Sequence, residues 1–192
     1  MFLKRIFDVL FCIICLLAFS PFFILIALIT KITMPGPLFF LQKRIGKNGK
    51  TFYIYKFRTM KVDKEAEEKH DTSKDQFRVT SWGKFMRRTK IDELPQLLNV
   101  LKGEMSLVGP RPTFEEQAKY YNERQKRRLI MRPGMTGLAQ VNGNIALTWE
   151  ERIEYDIYYI EKFSVFLDVV ILLKTMAVVL FGEEKFKRKK SE

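Results

Sequence analysis

The sequence has very few of the side chains that usually carry metal or nucleophilic chemistry. His70 is the only histidine among 192 residues, and Cys12 and Cys15 are the only cysteines. A Cys/His zinc site and a histidine-based catalytic triad both need more of these side chains in one region, so we exclude both. We expect the two cysteines, which lie in an apolar stretch, to be buried as small hydrophobic residues. The polar remainder has no disulfide of its own, which is consistent with a reducing compartment.

Acidic side chains are in the minority. There are 34 Lys and Arg against 22 Asp and Glu, which gives a net charge of +12 and an isoelectric point near 9.7. This excess favours an anionic partner: a nucleic acid, an anionic membrane or a phosphate-rich substrate. Composition alone does not choose among them. The length fits one domain with a modest core.

Charge is missing altogether between Val9 and Ile29. A helix over this run would measure roughly 31 Å, long enough to cross a bilayer. Ser20 and Pro21 interrupt it, because Pro21 lacks an N–H and clashes with the carbonyl of Leu17, at a cost of about 3 kcal/mol in a helix interior. The Ser20 hydroxyl can satisfy a carbonyl that such a bend frees. The two halves are each too short to cross.

Basic residues flank both ends of this apolar run. Lys4 and Arg5 precede it, and five basic residues follow with no acidic residue among them: Lys31, Lys43, Arg44, Lys47 and Lys50. Basic flanks mark the cytoplasmic side of a membrane segment, so both ends are expected on that side. We predict a re-entrant helix-break-helix that enters and leaves one leaflet. A straight, proline-kinked span with an outside amino terminus is the alternative.

After this run, residues 39–60 predict a β-hairpin around a glycine-containing turn. Lys56 and Arg58 on its second strand are two residues apart and therefore share one face. They form either an exposed basic edge or a phosphate contact. Residues 61–76 have mixed charge and no apolar periodicity, which predicts a solvated loop, a loose helix or a flap over a site.

The densest cluster of chemistry-bearing residues lies between Thr89 and Pro112. Asp92 and Glu93 precede an apolar helical run, and we predict a short amphipathic helix that starts near Asp92 with Asp92 as its cap. Two carboxylates at the positive end of a helix dipole suit a divalent cation and its phosphates. A plain helix cap is the ordinary explanation of an isolated Asp-Glu pair.

Arg111 stands between Pro110 and Pro112, whose rings fix their own φ angles and restrict the residues before them. An arginine held in this way suits bidentate phosphate recognition. Arg88 belongs to a basic cluster just before the carboxylates. It contacts either solvent and lipid headgroups or a substrate phosphate.

Three segments, in this order, resemble the bacterial sugar transferase family. They are YKFRTM at 55–60, IDELPQLLNVLKGEMSLVGPRP at 91–112 and RPGMTGLAQVNG at 132–143. The family consists of monotopic phosphoglycosyl transferases that start glycan assembly on a polyprenol lipid. The resemblance covers about residues 4–180 and also implies the re-entrant helix.

The resemblance assigns roles to several residues. It implies that Asp92 is a nucleophile that forms an acyl-phosphate with the sugar phosphate of the donor, and that Arg111 binds phosphate. It also favours phosphate contact for Lys56 and Arg58. Neither nucleophile of such a reaction needs a general base, because carboxylate and phosphate are both ionised at neutral pH. We expect Glu93 to be the Mg²⁺ ligand.

The third segment is rich in glycine, which lets a backbone approach a ligand closely. Gly134, Thr136 and Gln140 are its candidates for nucleotide contact. The sequence departs from the family after Gly143: many relatives have arginine there, implicated in the nucleotide site, whereas this chain has Asn144. This departure leaves the uridine contact and the choice of donor open.

The C-terminal part predicts two helices. Residues 149–162 form an amphipathic pattern with a Trp/Tyr belt suited to a membrane–water interface. Residues 163–181 are strongly apolar but contain Asp168 and Lys174, each of which would cost ~2.5–3.5 kcal/mol at a bilayer centre. This helix is expected to lie in the interface or to pack on the domain, with a second span as the alternative. The KFKRKK tail suits anionic lipid.

These features predict an α/β protein with a small sheet and helices. A re-entrant membrane hairpin (1–34) carries a catalytic domain (35–162), followed by an apolar interfacial helix and a basic tail (163–192). The expected reaction moves a sugar-1-phosphate from a UDP-sugar to polyprenol (undecaprenyl) phosphate with Mg²⁺ and releases UMP, as the first membrane step of exopolysaccharide, capsule or glycan assembly.

We expect a monotopic protein of the bacterial cytoplasmic membrane. Its catalytic domain should face the cytoplasm on an anionic inner leaflet, with no nucleic acid as partner. The alternatives are a non-enzymatic basic membrane-bound module that binds anionic lipid or nucleic acid, and an inactive scaffold subunit. The identity of the sugar and the oligomeric state stay open.

Overall fold

A computed structural model describes residues 1–62 and 75–182. Most of the predicted flap, His70 and the basic tail lie outside these residues. The first elements are helices α1 (Phe2–Ala18) and α2 (Ser20–Thr33) and strands β1 (Phe39–Ile45) and β2 (Thr51–Phe57). Further helices are α3 (Asp75–Arg78), α4 (Ser81–Thr89), α5 (Gln96–Lys102), α6 (Glu115–Ala118), α7 (Glu123–Lys126), α8 (Leu138–Val141), α9 (Trp149–Glu161) and α10 (Val165–Phe181). Two further strands are β3 (Ser106–Val108) and β4 (Gly134–Thr136).

The helices α1 and α2 meet at a sharp bend of 66°. The Ser20 hydroxyl donates to the Leu17 carbonyl at 2.9 Å. Pro21 lies in the first turn of α2, where its missing N–H needs no partner. The predicted position of the break is therefore confirmed. Within the described ranges no single helix is long and apolar enough to cross a bilayer, whereas this bent pair passes the same test as a unit.

Large apolar side chains cover the outward faces of α1, α2 and α10. On the first two helices and the bend between them they include Leu10, Ile14, Leu17, Phe19, Ile24, Leu25 and Leu28. On α10 they include Phe166, Leu173, Met176, Leu180 and Phe181. Soluble monomers rarely expose contiguous apolar patches of more than a few hundred Å². Surfaces of this kind are typical of membrane-binding or protein-binding faces.

The inward face of α1 carries charged residues that are paired inside the protein. Lys4 Nζ lies 2.6 Å from Asp168 Oδ2 on α10, and both side chains are buried. The Tyr159 hydroxyl donates to the other Asp168 oxygen at 2.6 Å. Asp8 accepts hydrogen bonds from Ser106 Oγ at 2.7 Å and from the Leu107 N–H at 3.2 Å. Charged side chains of α1 therefore attach the α1–α2 helix pair to the rest of the fold.

Arg5 makes a second attachment of α1. Its guanidinium donates to the carbonyls of Val100 and Leu101 in the last turn of α5, at 2.5 and 2.9 Å. A cation at a helix C-terminus satisfies carbonyls that lack helical partners and complements the helix dipole. The prediction of membrane orientation uses Lys4 and Arg5 as flanking charges. The structure shows in addition that both have internal partners.

The interfacial aromatic belt predicted for residues 149–162 is only partly present. Thr148 and Glu151 form a capping box at the start of α9. Tyr159 is fully buried, and Trp149 packs against Tyr121 with ring centroids 5.6 Å apart. Most of the predicted belt is therefore core packing. The pairing of Asp168 with Lys4 of α1 explains why the apolar helix α10 contains this charge. The pairing lets α10 pack on the domain.

The sheet is smaller and more divided than predicted. β1 and β2 form an antiparallel hairpin in which Phe39 pairs with Phe57, as expected from the sequence. β3 and β4 form a separate parallel pair. A Cβ on Gly134 would lie 2.1 Å from the backbone nitrogen of Gly109, so glycine allows these two segments to pack. The mixed α/β architecture is confirmed, with two two-stranded sheets among the described residues.

We expect Asp168→Asn to lower the apparent melting temperature strongly, because it leaves Lys4 buried without a counter-charge. Breaking a buried pair in this way costs about 3–5 kcal/mol. Lys4→Met combined with Asp168→Asn should recover most of the loss. The measurement is thermal unfolding of the detergent-solubilised protein. Lys43→Met, which breaks an exposed pair with Glu115, is the control and should leave the melting temperature unchanged. Equal effects of the two single variants would contradict this role for Asp168.

Candidate active site

The two carboxylates lie on a tight turn between helices. Lys90 adopts a left-handed conformation with φ 59° and ends α4. The chain then forms a 3₁₀ turn over Ile91–Glu93, and α5 starts only at Gln96, with Pro95 at its N-cap position. The prediction that Asp92 caps this helix is therefore wrong. Its side chain is free of the helix end because the turn comes before the helix.

Asp92 is buried, with 8 % of its surface exposed. Burial raises the pKa of Asp92 to about 6, and the neighbouring charge of Glu93 adds to this effect. The charges of Lys56, Arg87 and Lys90 oppose it. Its Oδ1 atom has no hydrogen-bond partner within the described part of the chain. The site thus holds a carboxylate oxygen that protein groups leave unused.

For Glu93, nearby positive charges outweigh the effect of burial on its pKa. Lys56 Nζ on β2 lies 2.7 Å from Glu93 Oε1. Burial alone would raise the pKa of Glu93, but the charge and hydrogen bond of Lys56, with the charges of Arg111 and Lys90, hold it below its usual range. Adjacent carboxylates with pKa values shifted in opposite directions are typical of catalytic sites.

Hydrogen bonds hold both the backbone and the side chain of Arg111. Arg128 donates to the Arg111 carbonyl at 3.1 Å and pairs with Asp156 in the protein interior. Burial raises the pKa of Asp156 to about 6, while Arg128 and the backbone N–H of Arg111 lower it. The Arg111 side chain donates to Asn144 Oδ1 at 3.0 Å. The structure therefore brings Arg111 and Asn144 together, and the charge of Arg111 acts on Glu93.

Arg128 and Asp156 were missed by sequence reasoning. Asp156 had a detectable signal, because it lies between Ile153 and Ile157 on the buried face of α9. A charge at such a position needs a buried partner. Arg128 gave no comparable signal, since it stands in a run of basic residues that has the pattern of a surface segment.

The other two predicted phosphate-binding arginines, Arg58 and Arg88, have different surroundings. Arg58 is 6 % exposed and donates to the backbone carbonyls of Met34 and Pro35, so it braces the linker between α2 and β1. Arg88 is exposed on α4. Its neighbour Arg87, which donates to Thr59 Oγ1 at 2.9 Å, is the arginine of this pair whose charge acts on Asp92.

The other residues of the predicted nucleotide loop are dispersed. Gly134 packs closely on the backbone of Gly109. Thr136 forms a 2.7 Å hydrogen bond with Thr175 on α10. Gln140 lies on α8, and its buried Oε1 has no partner in the part that the structure describes.

The carboxylate turn fits a magnesium ion shared with a substrate. Among residues 1–62 and 75–182, no group of three or more His, Cys, Asp or Glu side chains could hold a metal ion. Mg²⁺ is commonly bound by one or two carboxylates together with water and substrate phosphates. The unpartnered Asp92 oxygen and the adjacent Glu93 carboxylate provide this kind of donor set.

Comparison with known proteins gives a consistent result. The family model of the bacterial sugar transferases matches residues 1–182. The uncharacterized sugar transferase EpsL of Bacillus subtilis is 44% identical over 183 residues, which is 95% of this chain and 90% of EpsL. An undecaprenyl-phosphate N-acetylgalactosaminephosphotransferase of Aeromonas hydrophila is 43% identical over 94% of this chain and 44% of its own length.

A third relative is the undecaprenyl-phosphate galactose phosphotransferase of Salmonella typhimurium, which is 40% identical over 93% of this chain and 40% of its own length. This chain therefore spans nearly all of EpsL but less than half of the other two relatives. The family match includes both carboxylates and residues 110–112, here called the Arg111 corner, and each of these relatives aligns with more than 90% of the chain. The chain belongs to the bacterial sugar transferase family.

Proposed function

We propose that this protein transfers a sugar-1-phosphate from a UDP-sugar to undecaprenyl phosphate, with Asp92 as the nucleophile. The observation that carries the proposal is the buried Asp92 carboxylate with an unpartnered oxygen beside several cations. The names of the Aeromonas and Salmonella relatives give the class of reaction. They specify different sugars, so the sugar transferred here stays open.

The reaction divides into two displacements at one phosphorus atom. In the first, an Asp92 oxygen bonds to the phosphorus that carries the sugar, and the bond from this phosphorus to the UMP oxygen breaks. UMP leaves with the electron pair. In the second, an oxygen of the acceptor phosphate bonds to the same phosphorus, and the bond to Asp92 breaks. Neither step requires proton transfer when both nucleophiles are ionised, which fits a site whose described residues include no histidine.

The main task of the surrounding residues is to neutralise the charge of several anions. The charges of Lys56, Arg87 and Lys90 act on Asp92, and Arg111 acts on Glu93. Fixed positive groups of this kind stabilise charge that develops on phosphoryl oxygens. Mg²⁺, held by Glu93 beside Asp92, would supply further neutralisation of these oxygens when bound.

An apolar cavity beside the carboxylate turn supports a lipid acceptor. Its volume is about 340 Å³, and it is lined by Leu16, Ser20, Phe23, Ile24 and Ala27 of the hairpin helices and by Leu38, Phe39, Phe57, Pro95 and Leu98 of the domain. Pro95 follows Asp92 by three residues. An isoprenoid chain in this cavity would place its phosphate next to the nucleophile.

The exposed apolar faces of the hairpin support a position in one membrane leaflet, reached from the cytoplasmic side. A bent hairpin buried in lipid would bring the cavity to the level of the headgroups. A lipid phosphate and a water-soluble nucleotide can meet there. The exposed face of α10 would then contribute to the same membrane surface.

We expect Asp92→Asn to lower UMP release at least about 10³-fold, because it removes the nucleophile. Glu93→Gln should lower it about 10²-fold through weaker stabilisation of phosphoryl charge. The assay combines detergent-solubilised protein, a panel of UDP-sugars, undecaprenyl phosphate and Mg²⁺. Glu154→Gln, at an exposed carboxylate paired with Arg124, serves as the control and should retain full activity. Wild-type activity in Asp92→Asn would refute the covalent mechanism.

Without acceptor, wild-type protein should release about one UMP per active site and gain the mass of the sugar phosphate on Asp92. Intact-protein and peptide mass spectrometry measure this gain. UMP release that strictly requires the acceptor, with no covalent species, would favour direct transfer.

The two carboxylates should affect stability in opposite directions. Because the pKa of Asp92 is raised, the folded state loses stability as the pH rises from about 4 to 6. Asp92→Asn should therefore be more stable than wild type above pH 6, by about 2–3 kcal/mol. Because the pKa of Glu93 is depressed, its ionised form stabilises the fold above about pH 4.5, and Glu93→Gln should be less stable there. Melting temperatures from pH 4 to 8, in metal-free detergent, measure both. Destabilisation by Asp92→Asn at pH 7.5 would contradict the assignment.

Filling the apolar cavity should impair use of the lipid. Ala27→Phe is expected to raise KM for undecaprenyl phosphate while the UMP burst without acceptor is unchanged. Leu28→Phe, at an exposed neighbouring position on the same helix, is the matched control. Loss of the burst in Ala27→Phe would indicate a disturbed nucleophile and would argue against a separate lipid cavity.

A further inference from the structure

Arg44 on β1 has an unusual environment for a cation. Its guanidinium lies 3.2 Å from the centroid of the Phe114 ring, and it donates to Gln42 Oε1 at 2.6 Å. Its Nε atom is buried and has no partner in the part of the chain that the structure describes. An unused buried donor on a cation is costly unless a ligand completes it.

The position of Arg44 is fixed relative to the Arg111 corner. The Ile45 N–H donates to the Thr113 carbonyl at 3.0 Å, which forms an antiparallel bridge. Lys43 pairs with Glu115 at 2.8 Å on the outer side. Residues 43–45 of β1 therefore run antiparallel to residues 113–115, which follow the Arg111 corner. This contact places Arg44 opposite Phe114, three residues after Arg111 in the chain.

The charges of Arg44 and Arg111 also act on each other. Burial lowers the pKa of Arg44 to about 10, and the charge of Arg111 adds to this effect, while Glu93 and Glu116 oppose it. Each guanidinium is held by a neutral amide oxygen: Gln42 for Arg44 and Asn144 for Arg111. Over residues 1–62 and 75–182, neither forms an ion pair with a carboxylate. Their positive charge is available to an anion.

Arg44 lies at the opposite end of the β1–β2 hairpin from the residues of this hairpin that line the apolar cavity. Phe39 and Phe57 line the cavity at one end of the hairpin, and Arg44 lies five residues along β1 towards the turn, roughly 17 Å away along the strand. The carboxylate turn contacts the β1–β2 hairpin through Lys56, and the charge of Glu93 interacts with those of both Arg44 and Arg111. The arginine pair is therefore away from the lining of the apolar cavity but within electrostatic reach of the carboxylate turn.

We propose that Arg44 and Arg111 together bind the diphosphate of the nucleotide-sugar donor and hold the phosphate that leaves with the nucleotide. This inference rests on the proposed function and adds a residue to it. Two guanidiniums present fixed, planar sets of donors that match phosphate oxygens. The Phe114 ring keeps the Arg44 plane oriented and limits its motion. The leaving phosphate would complete the buried Arg44 donor.

The test measures binding of UDP to the full-length, detergent-solubilised protein by titration calorimetry, without turnover. Arg44→Gln should weaken UDP binding about 10–100-fold, as expected for loss of a charge-assisted phosphate contact. Arg44→Lys keeps the charge but loses the planar fork, so it should fall between wild type and Arg44→Gln. Lys43→Gln, on the opposite face of the same strand, should bind UDP within about twofold of wild type.

Steady-state kinetics supply a second measurement. In Arg44→Gln, KM for the UDP-sugar and the inhibition constant of UMP should rise by a similar factor, with KM for undecaprenyl phosphate unchanged. If Arg44→Gln does not fold, the same comparison is made with Arg44→Lys and with Phe114→Leu, which removes the ring beneath the guanidinium.

Wild-type UDP affinity in folded Arg44→Gln would overturn the inference while leaving the proposed function intact. So would a change confined to KM for undecaprenyl phosphate, since the arginines would then serve the acceptor. A wild-type protein that neither binds UDP nor releases UMP would instead overturn the proposed function, and this inference with it.

Discussion

The unequal electrostatic environment of two adjacent carboxylates is the constraint on which this site depends. Asp92 is buried and only partly compensated, whereas Glu93 has a cation within hydrogen-bond distance. The different pKa values of these neighbours depend on groups from three parts of the fold: Lys56 from the β1–β2 hairpin, Arg87 from α4 and Arg111 from the Arg111 corner. Each supporting element contributes a positive charge: Lys56 and Arg87 act on Asp92, and Lys56 and Arg111 act on Glu93.

A second constraint is the attachment of an apolar hairpin to a polar domain. The outward faces of α1 and α2 offer little specificity, because any apolar environment would satisfy them. Orientation comes instead from buried polar contacts on the inward face, chiefly Lys4 with Asp168 and Asp8 with Ser106. Buried ion pairs contribute little net stability, since desolvation offsets their attraction, but an incorrect arrangement leaves a charge unpaired. The hairpin and its cavity are thereby held against the carboxylate turn.

The sequence left several contacts unidentified for one reason: a local pattern does not show which partner a group meets. Asp92 has the sequence pattern of a helix cap, yet a 3₁₀ turn intervenes before the helix begins. Lys4 has the pattern of a flanking charge, yet its partner is 164 residues away. Gly134 is typical of a ligand-binding loop, yet the backbone that approaches it belongs to Gly109. Each of these partners is distant in sequence.

The sequence by itself determined the family, the helix break at Ser20, the hairpin and the two carboxylates. Each of these rests on local chemistry: a proline without an N–H, alternation around a turn, or a motif of adjacent residues. Only the tertiary structure decided how polar groups pair. It placed the side chain of Arg58 against the linker between α2 and β1, raised the pKa of Asp92 through burial, and stacked Arg44 on the ring of Phe114. Burial and distance-dependent charge effects arise from residues far apart in the chain, so no local pattern encodes them.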